Sequence, residues 1–206
     1  MGIQAATDLG AQAGRRQPLV LASASPQRRA ILARLGVGFE VRPTGVDELA
    51  DGDPEVVALE NALRKARAAA DPEREELVLA VDTLVELDGR IYGKPPDRDA
   101  ARETLRALSG ATHTVISGLV LLDAGRERTG LARTSVSFRE LAASTIDWYL
   151  TTGEWRERAG GYAIQGAGAA LVREIAGDYE NVVGLPLAAL LDLHPELLSP
   201  SSDPAS

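Results

Sequence analysis

The sequence contains no cysteine and few aromatic residues, and each shortage narrows what the protein can be. Without cysteine the chain has no disulfide, no thiolate metal ligand and no thiol nucleophile. Aromatic residues make up 4% of the chain, so a core must consist mainly of the aliphatic residues within its 45% hydrophobic fraction. No apolar run reaches the ~18–20 residues of a membrane-spanning helix, and residues 1–17 do not resemble a signal peptide. We therefore expect a cytoplasmic protein that does not bind membranes.

Basic residues are outnumbered, 22 against 30 acidic residues, which gives a net charge of −8. Binding to a nucleic acid polymer depends on many Lys and Arg contacts with phosphates, so this balance disfavours a polymer partner. It leaves room for a local basic pocket that binds one small phosphorylated molecule.

The organisation of the chain indicates one α/β domain over residues 17–198, because 206 residues suit a single domain and no linker or repeat interrupts them. Residues 1–16 and 199–206 are small and polar, and we expect both to be disordered tails. Apolar runs and periodic segments predict a part-parallel, part-antiparallel sheet with helices. The expected strands are 19–22, 39–43, 77–81, a hairpin over 85–92, 113–122, 131–138 and an extended segment over 163–175. The expected helices are 26–35, 53–70, 97–108, 144–150 with a capping box between Ser144 and Asp147, and 185–193.

The first segment that indicates chemistry is Ser23–Arg29, where Ser25 is a favoured N-cap and Pro26 a favoured first helical residue. Arg28 and Arg29 then fall in the first turn, at the positive end of the helix dipole. An anion bound at the helix N-terminus would resolve this conflict. The alternative is that both arginines point into solvent. The chain has no Walker loop and no GxGxxG after a strand.

The second segment is Ala80–Val85, where Asp82 follows an apolar run and is expected to end a strand. Ligand crevices of α/β sheets lie at such strand ends, and a carboxylate there can hold a metal or accept a proton from water. A turn-capping Asp is the alternative.

Several other polar residues carry weaker signals. Asp47 and Glu48 follow a Thr-Gly turn and can ligate Mg²⁺ through oxygen. Lys65 lies beside a stripe of alanines, but a Lys that extends to solvent fits the same pattern. Lys94 follows the predicted hairpin and can equally be a surface residue. For His113 a structural role is favoured over a catalytic one.

The combination of these segments is more specific than any one of them, and it resembles the Maf family across residues 19–193. The motifs occur in the order found in that family: LASASPQRRAILARLG, TGVDE, NALRKARA, AVDTLVELDGRIYGKP, LSGATHTVISG and RAGGYAIQGAGAALVREIAGDYENVVGLPL. The resemblance implies that residues 17–198 form a Maf-like catalytic domain. Its fold would be an elongated mixed β-sheet flanked by helices, with two lobes and a central cleft, as in inosine-triphosphate pyrophosphatases.

The resemblance also implies an activity, the hydrolysis of nucleoside triphosphates to monophosphate and pyrophosphate with Mg²⁺ or Mn²⁺. Such an enzyme is a nucleotide diphosphatase, a hydrolase of phosphoric anhydrides that can also remove modified nucleotides. The family's catalytic base falls on Asp82, and Glu48 joins it as a metal partner. The residues that contact phosphate fall on Ser23, Arg28, Lys65 and Lys94. The resemblance further implies a small nucleotide substrate and a possible homodimer.

Substrate preference is implied by three positions. Thr83 and Gln165 match the subfamily that prefers dTTP and UTP, since the methylated-GTP subfamily usually carries Gln and Glu there. Gln27 departs from the Arg usual in the pyrimidine subfamily, and Arg158 replaces a usual Lys. Two alternatives therefore stay open: a member specific for methylated GTP or another modified nucleotide, and a nucleotide-binding regulator of cell division with little turnover.

Overall fold

The computed structural model describes residues 17–199, which form a seven-stranded mixed sheet with helices packed against it. The strands are β1 (Leu19–Leu21), β2 (Phe39–Val41), β3 (Leu77–Leu87), β4 (Arg90–Tyr92), β5 (Thr112–Asp123), β6 (Arg126–Phe138) and β7 (Val172–Ala176). The helices are α1 (Pro26–Arg34), α2 (Pro54–Ala69), α3 (Arg98–Leu108), α4 (Ala143–Thr152), α5 (Tyr179–Val183) and α6 (Leu187–Leu193). Short 3₁₀ helices span Ala159–Gly161, Ala167–Leu171 and Pro195–Leu198. The predicted tails lie outside the described residues, except for Ser199.

The order of the strands confirms the predicted mixture of parallel and antiparallel pairing. The sheet runs β2-β1-β3-β5-β6-β7, with β4 paired to β3. β1 lies parallel to both β2 and β3, and all other pairs are antiparallel. β1 ends at Leu21, which pairs with Leu79, whereas β3 stays paired to β5 as far as Glu86. The second half of β3 therefore extends past the carboxyl end of β1, where α/β sheets form their ligand crevices.

The two helices nearest this edge begin where local sequence chemistry predicts. Ser25 caps α1 by accepting a hydrogen bond from the Arg28 backbone N–H, and Pro26 is the first helical residue. Asp53 caps α2 by accepting from the backbone N–H groups of Glu55 and Val56. An N-cap oxygen satisfies donors that the helix itself leaves unpaired, so these short-range signals fix both helix starts.

Helix α2 packs unusually close to β5, because only small residues meet at the contact. Ala58, Ala62 and Ala66 are fully buried on the inner face of α2. Gly118 of β5 faces them, and a Cβ built there would lie 2.5 Å from the Ala58 carbonyl carbon. Gly118 pairs directly with Asp82 across the sheet. The close approach therefore brings α2 side chains to the level of Asp82.

Two large hydrophobic clusters pack against different parts of the sheet. One joins β1, α1 and α6 around Leu21, Leu32 and Leu190. The other joins α3 and α4 to the far part of the sheet around Leu105 and Tyr149. Within residues 17–199 no helix is long and apolar enough to cross a membrane.

Three local expectations are wrong. Asp82 does not end a strand, because β3 continues through it on the support of β5. Helix α4 has no side-chain cap, and the Asp147 carboxylate instead accepts a hydrogen bond from Arg102. Residues 163–175 are extended only from Val172, since Ala167–Leu171 forms a 3₁₀ helix.

Long-range contacts explain the last of these errors, because the Glu154 carboxylate accepts hydrogen bonds from the backbone N–H groups of Ala167 and Gly168. Helix α5 was not predicted at all. Its five residues are too few for a periodic signal.

Candidate active site

A cleft of about 1060 Å³ opens at the carboxyl end of β1. Its walls come from the loops after β1, β2 and β4, from α2 and β3, and from residues 156–162 and 182–184. Five cationic side chains line it: Arg28, Lys65, Lys94, Arg156 and Arg158. Four carboxylates accompany them: Glu48, Asp51, Asp82 and Glu157. The cleft thus has a slight positive excess in a chain whose net charge is −8. That contrast favours an anionic ligand.

Lys65 joins two predicted carboxylates that are far apart in sequence. Its Nζ lies 2.6 Å from Asp82 Oδ1 and 2.6 Å from Glu48 Oε1. The side chains of Lys65 and Asp82 are each about 11% exposed, so water screens this contact little. The alternative in which Lys65 extends to solvent is therefore wrong.

Asn61 is a site residue that the sequence interpretation missed. Its Nδ2 donates to Asp82 Oδ2 at 3.1 Å and to the Leu49 carbonyl at 3.0 Å, while its Oδ1 accepts from the Leu49 N–H at 2.7 Å. One buried amide thus connects Asp82 to the loop that carries Glu48. The only signal was its spacing of four residues before Lys65, which places both side chains on one face of α2.

Arg28 crosses the site and connects three segments. Its Nε donates to the Gly184 carbonyl at 2.8 Å, one terminal nitrogen donates to Ser23 Oγ at 2.9 Å, and the other donates to Thr83 Oγ1 at 3.1 Å. Thr83 Oγ1 also lies 2.9 Å from Ser117 Oγ. Burial lowers the pKa of the Arg28 guanidinium, and the negative charges of Asp82 and Glu48 act in the opposite direction.

The two arginines at the start of α1 therefore differ. Arg28 is buried in the site, whereas Arg29 is exposed and does not line the cleft. The solvent-facing alternative is correct for Arg29 and wrong for Arg28. The acceptor at Gly184 could not be anticipated from sequence, because it is a backbone carbonyl 156 residues away.

The remaining predicted residues lie at different distances from this centre. Gln27 lines the cleft half-buried, and its Oε1 accepts from Ser25 Oγ at 3.1 Å. Lys94 lines the cleft with a 55% exposed side chain, 3.8 Å from Glu157 Oε2. Gln165 is exposed and is not among the lining residues, so its role in base recognition stays a prediction.

His113 is a buried structural residue, as the sequence favoured. Its ring is 1% exposed and stacks edge-on against Phe138, and its Nε2 lies 2.9 Å from the hydroxyl of Tyr162. Burial lowers the pKa of His113 to about 4. Tyr162 lines the cleft, so this buried pair supports one of its walls.

The carboxylates suit a magnesium-type ion that the substrate helps to bind. No cluster of three or more His, Asp or Glu side chains that could hold a metal ion exists among residues 17–199. Two carboxylates, Glu48 and Asp82, do converge on one ammonium group. Mg²⁺ commonly binds through one or two carboxylates, waters and substrate phosphates, and this pair fits that donor set.

Comparison with known proteins agrees with this arrangement. Residues 18–197 match the family model described as Maf-like protein. The chain is 44% identical over 177 residues to a protein of Pyrococcus furiosus named dTTP/UTP pyrophosphatase, covering 85% of this chain and 93% of the relative. It is 49% identical over 179 residues to the protein of that name from Moorella thermoacetica, covering 85% and 92%. A third such protein, from Alkalilimnicola ehrlichii, is 47% identical over 188 residues, covering 86% and 93%. The chain therefore belongs to the Maf family.

Proposed function

We propose that this protein is a nucleoside triphosphate pyrophosphatase, a hydrolase that acts on phosphoric anhydrides. One observation carries the proposal: a buried carboxylate, Asp82, lies 2.6 Å from the Lys65 ammonium group in a cleft that is more positive than the rest of the chain. The family relatives named dTTP/UTP pyrophosphatase support it. Residues 17–198 would form one catalytic domain.

In this reaction water attacks the α-phosphorus of the bound nucleotide. Asp82 accepts a proton from the water, and the bond between the α-phosphorus and the oxygen that bridges to the β-phosphorus breaks. The products are a nucleoside monophosphate and pyrophosphate. Arg28, Lys65 and Lys94 stabilise the negative charge that grows on the phosphoryl oxygens, and Ser23 orients the Arg28 guanidinium at 2.9 Å.

A divalent cation, Mg²⁺ or Mn²⁺, completes the site by neutralising phosphate charge when it binds with the substrate. Glu48 and Asp82 would hold it. Lys65 keeps these two carboxylates together before the substrate arrives, since its ammonium group lies 2.6 Å from each. Without the cation, the cleft carboxylates would repel a triphosphate.

For the preferred base we propose thymine or uracil, so that dTTP and UTP are the main unmodified substrates. The relatives carry this preference in their names, and Thr83 and Gln165 match their subfamily. Thr83 is already part of the site through Arg28. The Gln165 amide offers a donor and an acceptor that suit O4 and N3–H of these bases.

A modified nucleotide is the second candidate substrate, and Gln27 favours it. This residue lines the cleft where the pyrimidine subfamily usually has Arg, so a different nucleotide can be accommodated there.

We also propose a cytoplasmic enzyme that binds no polymer and forms a homodimer.

A substrate panel tests the proposal. The protein is incubated with UTP, dTTP, CTP, GTP and methylated GTP, each with Mg²⁺ or Mn²⁺, and products are separated by ion-exchange chromatography. We expect monophosphate and pyrophosphate, highest kcat/KM for UTP and dTTP, and no turnover with EDTA. Release of orthophosphate as first product would contradict the reaction. A higher kcat/KM for methylated GTP would contradict only the base preference.

A further inference from the structure

Apart from Asp51, the charged residues of the cleft form two groups with different charge balances. The Asp82 cluster consists of Arg28, Glu48, Lys65 and Asp82, two cations and two carboxylates. The Arg158 cluster consists of Lys94, Arg156, Glu157 and Arg158, three cations and one carboxylate, all of them lining the cleft. The positive excess of the cleft therefore resides in the Arg158 cluster.

The two clusters also differ in whether their hydrogen-bond donors already have acceptors within the protein. Arg28 donates to three protein oxygens, and Lys65 contacts two carboxylates. The Arg158 side chain makes no hydrogen bond or ion pair within the described part of the chain, and its Nε is buried without an acceptor. A buried donor without an acceptor is unfavourable, so this guanidinium is suited to a ligand oxygen.

The backbone joins the segment that carries Arg158 to the segment that carries Lys94. The Gly160 N–H donates to the Gly93 carbonyl at 3.1 Å, and the Gly161 N–H donates to the Arg158 carbonyl at 3.0 Å. Gly160 has φ +67°, and a Cβ there would lie 2.8 Å from Val85 Cγ2, so the turn requires glycine. This turn fixes the segment that carries Arg158 against the strand pair that precedes Lys94.

We propose that Arg158, together with Lys94, binds the β- and γ-phosphoryl groups that leave as pyrophosphate. This rests on the proposed function. Asp82 must lie near the α-phosphorus, where water attacks, so the other two phosphoryl groups extend toward cations that are still free to donate. The guanidinium of Arg158 has five N–H donors in a planar fork that matches phosphate oxygens. It therefore opposes the charge that builds up on the leaving group.

Binding measurements separate this inference from the reaction itself. We compare the dissociation constants of α,β-methylene-UTP and UMP, each with Mg²⁺, by isothermal titration calorimetry. Arg158→Gln should weaken binding of the triphosphate analogue about tenfold to a hundredfold and binding of UMP less than about twofold. Arg158→Lys keeps the charge but loses the planar fork, so it should restore only part of the affinity. Arg173→Gln is the matched control, because Arg173 is exposed on β7 and does not line the cleft.

An unchanged affinity of Arg158→Gln for the analogue overturns the inference, and so does an equal loss of affinity for UMP. Either result leaves the pyrophosphatase assignment intact if the wild-type protein releases pyrophosphate in the substrate panel. A wild-type protein that neither binds the analogue nor turns over any triphosphate overturns both.

A measurement on the wild-type protein does not depend on how a variant folds. Phenylglyoxal modifies accessible arginines, and peptide mass spectrometry reports the modified fraction of Arg158. Inorganic pyrophosphate with Mg²⁺ should protect Arg158 at least about fivefold, while UMP should not. Equal modification with and without pyrophosphate contradicts the proposal.

Discussion

The Asp82 cluster and the Arg158 cluster share one cleft but are held in different ways. In the Asp82 cluster every charged side chain contacts another part of the protein, and its charges balance. In the Arg158 cluster the nearest ion pair, Lys94 with Glu157, spans 3.8 Å and is largely exposed. Prearranged groups suit the reacting centre, since no energy is then spent on orienting them during the reaction. Open donors suit a group that must bind and then leave.

Asp82→Asn tests the reacting centre and has the largest expected effect. Asn cannot accept the proton from water, so kcat should fall about 10²–10⁴-fold while the fold is kept. Steady-state kinetics and circular dichroism measure the two properties. Asp51→Asn is the matched control, because Asp51 also lines the cleft, and it should change kcat less than about threefold. Near-normal turnover by a folded Asp82→Asn protein would remove Asp82 from the mechanism.

Asn61→Ala tests whether the Asp82 cluster is held as rigidly as its contacts imply. The change removes three hydrogen bonds among Asn61, Asp82 and Leu49, and should lower the free energy of unfolding by about 2–3 kcal/mol. Urea denaturation measures this, and hydrogen exchange should show a less protected Leu49 amide. Glu60→Ala on the same helix removes a surface ion pair and should cost under ~0.5 kcal/mol. If both variants lose the same free energy of unfolding, the buried hydrogen bonds of Asn61 add no more stability than a surface ion pair on α2.

His113→Phe tests the buried pair of His113 and Tyr162, which supports one wall of the cleft. The property measured is the pH dependence of the free energy of unfolding. Burial keeps the folded pKa of His113 at about 4, below its ordinary value of 6.5. The unfolded chain therefore binds a proton first as pH falls, and the folded state loses stability from about pH 6.5 down to about 4. The wild-type protein should lose about 2 kcal/mol more than His113→Phe between pH 7.5 and 5, measured by urea denaturation. Parallel pH profiles of the two proteins would contradict this.

Gln165→Glu has the smallest expected effect and concerns the base. Replacing the amide by a carboxylate removes the donor for O4, so kcat/KM for UTP and dTTP should fall about tenfold relative to that for GTP. Competition assays with mixed triphosphates measure the ratio. An unchanged kcat/KM ratio would agree with the exposed position of Gln165. It would indicate that the base is recognised on the Thr83 side of the cleft instead.

The sequence predicts short-range structure well and long-range geometry poorly. The starts of α1 and α2 follow from Ser25-Pro26 and Asp53-Pro54, because a cap and its helix are neighbours in the chain. The hairpin predicted over 85–92 is correct for the same reason, and its turn residues Asp88 and Gly89 both have positive φ. The resemblance to the Maf family brought Ser23, Arg28, Glu48, Lys65, Asp82 and Lys94 together in advance, and all six line the cleft.

The features that the sequence did not predict correctly depend on contacts between distant segments. Asp82 lies within β3 because β5 supports the strand beyond β1, and no local pattern near Asp82 reports that. Asn61 reads as an ordinary polar residue on a helix until the loop at Leu49 lies against it. The 3₁₀ helix at Ala167–Leu171 likewise depends on a carboxylate from Glu154, outside that segment.

The hydrogen bond from Arg28 to the Gly184 carbonyl also bears on the order in which the protein is made. A ribosome releases Arg28 early and Gly184 only after a further 156 residues. A domain generally folds as a unit, so Arg28 lacks its last acceptor until the segment that carries Gly184 has emerged. Catalytic competence is therefore acquired only after Gly184 has been synthesised. A nascent chain that stops before Gly184 carries all the charged residues of the Asp82 cluster, with its guanidinium not yet fixed.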